Sequence, residues 1–184
     1  MNIIQIVGIA VGIIIGLVVL TFLVFNYDLA SVLATGSETL TPTGTSVGKA
    51  LVVYSPGLSG AAKESATKIA GDLTGKGYTV VLAGIKSSAA SSGADFDVVI
   101  VGGPVYFGKL SSSTGDYLGK LSVKSGAKLG IFGTTGGNQY MDVDFKSVSA
   151  QVSSLRGGAT VPIKLILTNE VDADCAALVS STLG

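Results

Sequence analysis

Asp97-Val98-Val99-Ile100-Val101-Gly102-Gly103-Pro104-Val105-Tyr106-Phe107-Gly108 reads as a strand running into a glycine-bearing loop. A second stretch, Lys128-Leu129-Gly130-Ile131-Phe132-Gly133-Thr134-Thr135-Gly136-Gly137, repeats the pattern. Each apolar run is short and unbroken, as a strand covered on both faces should be. Each stops at residues that adopt unusual backbone angles or let another group approach closely. Ligands of open parallel sheets bind just beyond the carboxyl ends of strands. Two candidate ligand loops therefore share one edge of one sheet.

Around these runs, strands and helices alternate. The sequence predicts strands over 50–54, 78–83, 96–102, 127–132 and 160–167. Helices are predicted over 60–75, 111–121, 143–155 and 172–183, with a short helix or loop over 87–94. Ala62, Ala66, Ile69, Ala70 and Leu73 share one face of the first of these helices. The alternation argues for an α/β fold: a doubly wound, five-stranded parallel sheet. Pro162 lacks a donor and belongs at an edge or a strand start. The strand order 2-1-3-4-5 puts its strand at an edge and centres the first, third and fourth strands.

The chain of 184 residues carries twelve basic and twelve acidic residues, no His and one Cys, Cys175. Balanced charge without basic clusters argues against nucleic acid. Without His, and with a single Cys, no metal partner is expected, and neither zinc nor iron–sulfur ligation fits. A Ser-His-Asp or Cys-His hydrolase is excluded in its usual form. Cys175 is expected to pack as a small apolar residue.

At the front, Ile3 to Phe25 is apolar apart from Gln5, the glycines and Thr21. Twenty-odd helical residues at ~1.5 Å each cross a hydrocarbon core of ~30 Å. The expectation is a transmembrane helix over residues 1–27 that meets membrane lipid through residues 3–25, in a single-pass protein. A cleaved leader is the alternative, with Val32-Leu33-Ala34 resembling a cleavage site. Residues 28–48, rich in Ser, Thr and Gly, are expected to form a flexible linker, and residues 49–184 the folded domain.

A third loop follows the first strand: Ser55-Pro56-Gly57-Leu58-Ser59-Gly60-Ala61, leading into a helix. Free N–H groups and a positive dipole end at a helix start hold a phosphate. Ser55 and Ser59 offer hydroxyls, and Gly57, Gly60 and Ala61 let an anion approach. An ordinary strand-to-helix turn capped by Ser59 explains the same residues. In the loop after Gly103, an exposed Tyr106 can stack on a flat heterocycle or merely cover the sheet edge. In the loop after Phe132, Thr134-Thr135-Gly136-Gly137 presents backbone donors with few side chains in the way.

Together the three loops resemble the flavodoxin family, which binds flavin mononucleotide (FMN). The resemblance spans nearly all of 49–183 and is strongest over 97–109 and 132–137. It implies a flavodoxin-like domain and an FMN cofactor held by Ser55, Gly57, Leu58, Ser59, Gly60 and Ala61 at the phosphate. Pro104, Val105, Tyr106, Phe107, Gly108 and Lys109 would line one side of the ring, and Thr134, Thr135, Gly136 and Gly137 the other. Pro56, Leu58 and Ala61 depart from the family's Ser/Thr-x-Thr-Gly-x-Thr phosphate pattern. Lys109 replaces an acid found there in some relatives, and a cation would favour the anionic reduced ring. The implied role is a membrane-anchored one-electron carrier, serving membrane-associated redox partner proteins from the cytoplasmic side. Two alternatives stand beside it: an FMN-dependent NAD(P)H:quinone reductase, and a flavodoxin-fold binding module that has lost FMN.

Overall fold

The structure, a computed structural model, describes residues 2–184, and the side chains of these except 24–27 and 29; Met1 of the expected 1–27 segment lies outside them. Helix α1 (Ile3–Tyr27) precedes a layered α/β domain built on β2 (Gly48–Tyr54), α2 (Ala61–Gly75), β3 (Tyr78–Gly84), β4 (Val98–Tyr106), α3 (Ser112–Lys120), β6 (Lys128–Thr134), α4 (Asp142–Leu155), β7 (Ile163–Ile166) and α5 (Val171–Leu183). Two short strands complete it: β1 (Ser37–Leu40) and β5 (Lys109–Leu110).

The parallel strands run β3-β2-β4-β6-β7 across the sheet, the expected 2-1-3-4-5 order. Two strands go beyond that expectation. β1 adds antiparallel to β3 at one edge, and β5 folds back on β4 as a hairpin. Stretch 28–48 is thus not a free tether: it holds a 3-10 helix over Leu29–Leu33 and this edge strand. Ser37 and Glu38 are polar and exposed, so no apolar alternation announces the strand. At the other edge Pro162 stands just before β7 and uses only its carbonyl, accepting from the Ile131 N–H.

Alternation along the strands sends side chains into two apolar layers. Leu51, Val53, Val99, Val101 and Ile131 face Leu118, Val148 and Val152 of α3 and α4. Ala50, Val52, Ile100 and Phe132 face Ile69, Leu73, Leu178 and Val179 of α2 and α5. Each fully buried Val, Leu or Ile contributes roughly 1.5–3 kcal/mol. Cys175 lies in the second layer, its thiol pushed up to about 12 by burial, with Asp72, Asp174 and Asp172 adding to the shift.

Glycines in the central strands clear space rather than turn the chain. A Cβ on Gly102 would lie 2.3 Å from the Phe132 ring, and one on Gly103 would lie 2.4 Å from Thr114 Oγ1. β4 therefore runs through both glycines to Tyr106, beyond the expected end at Gly102. By contrast, all described residues from Ile3 to Leu23 are exposed, a span long and apolar enough to cross a membrane.

Candidate functional site

The carboxyl ends of β2, β4 and β6 lie side by side, with Tyr54 level with Gly102 and Pro104 level with Thr134. The three loops singled out in the sequence leave the sheet at this one end. No charged residue occurs in 55–60, 104–108 or 134–141.

The first loop turns at Gly57 and Gly60, at φ +63° and +77°. Both angles favour glycine. Gly60 caps α2: its carbonyl accepts from the Lys63 and Glu64 amides. Ser59 Oγ accepts from the Ala61 N–H at 3.3 Å. Among the described residues, the amides of Gly57, Ser59, Gly60 and Ala62 make no backbone hydrogen bond. This is a concentration of donors at a positive helix end.

The second loop is a tight hairpin. Val105 pairs with Leu110 and Tyr106 with Lys109, leaving Phe107 and Gly108 at the turn with φ of +52° and +73°. Two positive φ values suit the right-handed twist of the hairpin. For Phe107 that conformation costs about 1–2 kcal/mol, and its ring is 90% exposed. Backbone strain of this kind clusters at active sites and ligand clamps. Tyr106, half-buried, closes on the first loop: a Cβ on Gly57 would lie 2.9 Å from Pro104 and 3.3 Å from the Tyr106 hydroxyl. Burial raises the Tyr106 pKa above its usual value, the Asp28 carboxylate raises it further, and the Leu58 N–H donating to its oxygen opposes both.

The third loop buries Thr134 at the strand end. Thr135 N–H donates to the Ile166 carbonyl at 3.3 Å, while Thr135 Oγ1 is buried without a partner among the described residues. A small cavity of about 60 Å³ touches it and the first turn of α2. Thr168 ties the loop down through Asn138 Oδ1 at 2.9 Å. Gly136 has open space around it.

Sequence reasoning missed Asp28. This residue caps the end of α1 at φ +45° and is 2% exposed. Its Oδ2 accepts from Ser55 Oγ at 2.6 Å and from Ser113 Oγ at the start of α3. The Ser55 hydroxyl, expected to face an anion in the first loop, is thus spent inside the domain. Ser55 follows Val53 on the α3 side of the sheet, so its side chain points there and not toward α2. No local signal links these residues, because Asp28 lies 27 residues from Ser55 and 85 from Ser113.

A wider groove of about 900 Å³ lies between α2 and the start of α5. Among its charges Lys68 lies 3.4 Å from Asp172, and the groove reaches Gly60 of the first loop but not the loops at Tyr106 and Thr135. Among the described residues no three of His, Cys, Asp and Glu gather as a metal site.

No protein-family model matches the chain, and no curated protein matches it. Solved structures do. One is the flavodoxin of Streptococcus pneumonia TIGR4, at 17% identity and TM-score 0.55, covering 73% of this chain and 97% of that one. Oxidised flavodoxin 2 from Bacillus cereus gives 19% identity and TM-score 0.53, over 73% and 97% of the two chains. A cysteine-to-serine mutant of the Pseudomonas aeruginosa flavodoxin gives 17% and 0.53, over 74% and 99%. The domain has the flavodoxin-like fold. That likeness accounts for the strand order and the common edge of the three loops. The flavodoxin-like domain here adds β1 and ties itself through Asp28 to an apolar N-terminal helix.

Proposed function

We propose that the chain is a membrane-anchored, FMN-binding one-electron carrier. The observation that carries this reading is the meeting of three uncharged loops at one end of the sheet. The residues fit the group. A phosphate would be held by the uncommitted amides between Gly57 and Ala62, aided by Ser59 Oγ, with no need of the Ser55 hydroxyl. A flat ring would lie between the Tyr106–Lys109 hairpin and Thr134–Gly137, where Gly136 leaves open space. When bound, FMN would supply the redox chemistry; the protein orients it and sets its electrostatics. Tyr106, with its raised pKa, would stay a neutral phenol and place no charge beside the ring.

Membrane anchoring is supported by the exposed span Ile3–Leu23 and by Asp28. Cleavage of a leader after Ala34 would remove Asp28, the buried carboxylate that accepts from both Ser55 and Ser113. It would also remove the Ala34 carbonyl that accepts from Lys86 N–H at 2.9 Å. Retention of α1 keeps both contacts. Redox partners would then be membrane-associated proteins, with the domain on the cytoplasmic side, where flavin and reductant are made.

One observation favours the binding module that has lost FMN: the Asp28 carboxylate holds the hydroxyl that opens the first loop. Visible absorption of the purified full chain separates the two. A flavin spectrum supports the carrier, and a colourless protein that stays so with added FMN supports the module. Oxidation of NADH or NADPH with a quinone acceptor tests the reductase alternative.

A further inference from the structure

Outside α1, the large apolar side chains left exposed are not scattered. Leu58, Phe107 and Met141 stand on the three loops, 59%, 90% and 65% exposed. Val32 and Leu33 flank them on the 3-10 turn, which lies beyond the end of β3 because the Ala34 carbonyl packs on Gly84. Val143 and Phe145 of α4 add exposed apolar area beside the patch, where the acidic first turn, Asp142 and Asp144, forms its border. At the opposite end of the sheet, Val47 alone among the described residues exposes a large apolar side chain. Exposed apolar side chains gathered at one end of a domain mark an interaction surface. The segments bearing it, 29–36, 55–60, 104–108 and 134–141, hold no charged residue.

Helix α1 ends at this same place. Asp28 follows its last residue and is buried against Ser55 and Ser113, at the end of β2 and the start of α3. No spacer separates the apolar span from the patch. We infer that the loop end of the domain lies on the lipid surface, with Leu58, Phe107 and Met141 entering the headgroup boundary of the bilayer that α1 crosses. This rests on the membrane-anchor reading of α1 and extends it from a tether to an orientation. Apolar and aromatic side chains on uncharged loops suit that boundary, and Asp28 holds them toward it. A ring bound between Tyr106 and Thr135 would then face the bilayer, so its electron partner would be membrane-resident.

The chain has no Trp, so single-Trp variants report position without background. Full-length Phe107→Trp, Leu17→Trp and Val47→Trp are reconstituted in phosphatidylcholine vesicles brominated near the glycerol or near the methyl end of the acyl chains. Leu58→Trp repeats the reading on another loop should the strained Phe107 turn not tolerate the larger ring. The inference predicts that Phe107→Trp and Leu58→Trp emission shifts to the blue and is lost to shallow bromines, while Val47→Trp is quenched by aqueous iodide alone. Leu17→Trp should be lost to deep bromines. If Phe107→Trp and Leu58→Trp are as open to iodide as Val47→Trp while Leu17→Trp is quenched by lipid, the orientation is overturned and the anchor stands. If Leu17→Trp is not quenched by lipid, the anchor falls and the orientation with it.

Discussion

The Asp28 carboxylate accepts a hydrogen bond from Ser55 Oγ at 2.6 Å, joining the end of an apolar helix to the first loop of the domain. Hydrogen bonds to a charged group contribute about 1.5–3 kcal/mol each. Asp28→Ala removes the acceptor and leaves the two hydroxyls to each other, Ser113 Oγ donating to Ser55 Oγ at 3.0 Å. We expect a stability loss of about 2–4 kcal/mol in denaturant titration of the full chain, with faster proteolysis between 28 and 36. Asp28→Asn, which keeps an acceptor and tolerates the left-handed turn, should lose less than half as much. Equal loss for both would assign the effect to charge alone.

Asp97 sits at the opposite end of the sheet. Its carboxylate pKa is held below 3.8, chiefly by the Lys124 ammonium and then by the Lys49 backbone N–H at 2.7 Å. A depressed carboxylate stabilises the fold above its unfolded pKa, and that contribution fades as pH falls through the folded value. Asp97→Asn should therefore be less stable than the parent at pH 7, by under about 1 kcal/mol because the pair is exposed. The difference should shrink below about pH 3.8 and vanish at lower pH. Thermal melts across that range check both the sign and the window.

Gly102→Ala places a methyl 2.3 Å from the Phe132 ring, and β4 and β6 are fixed beside each other. Overpacking of this kind costs about 1–3 kcal/mol. Phe132→Leu should recover part of that loss in the double variant, so the two effects will not add. Strict additivity would show that the methyl is blocked by the Phe132 backbone carbonyl rather than by its ring.

This pair also explains which parts of the fold were legible. The uninterrupted runs 98–101 and 128–132 identified central strands, because burial on both faces leaves a local signature. The purpose of Gly102 and Gly103 did not show, because it depends on Phe132 and Thr114, which are distant in the chain. Their glycines therefore looked like the strand's end, and the true turn at Phe107-Gly108 came later. Strand β1 was hidden for a different reason: Ser37 and Glu38 pair through backbone groups that carry no side-chain pattern. The three loops were readable as a set, since strand ends locate them. Asp28 was not, because nothing near it in sequence calls for a buried carboxylate.

Lys109 is exposed and paired across the hairpin with Tyr106. If a flavin ring lies beside this hairpin, Lys109→Glu exchanges a nearby positive charge for a negative one and disfavours the reduced anion. The midpoint potential should fall by roughly tens of millivolts at low ionic strength, with a smaller change at high salt. Potentiometric titration with visible detection reads this directly. An unchanged midpoint at low salt would place Lys109 too far from the ring to matter.

FMN binding by the full-length protein, followed by loss of flavin fluorescence in detergent solution, tests the account most directly. We predict saturable, equimolar quenching by FMN and weaker quenching by riboflavin, since only FMN carries the phosphate that the Gly57–Ala62 amides would hold. Flavin emission that stays unchanged when protein is added in excess would contradict the account.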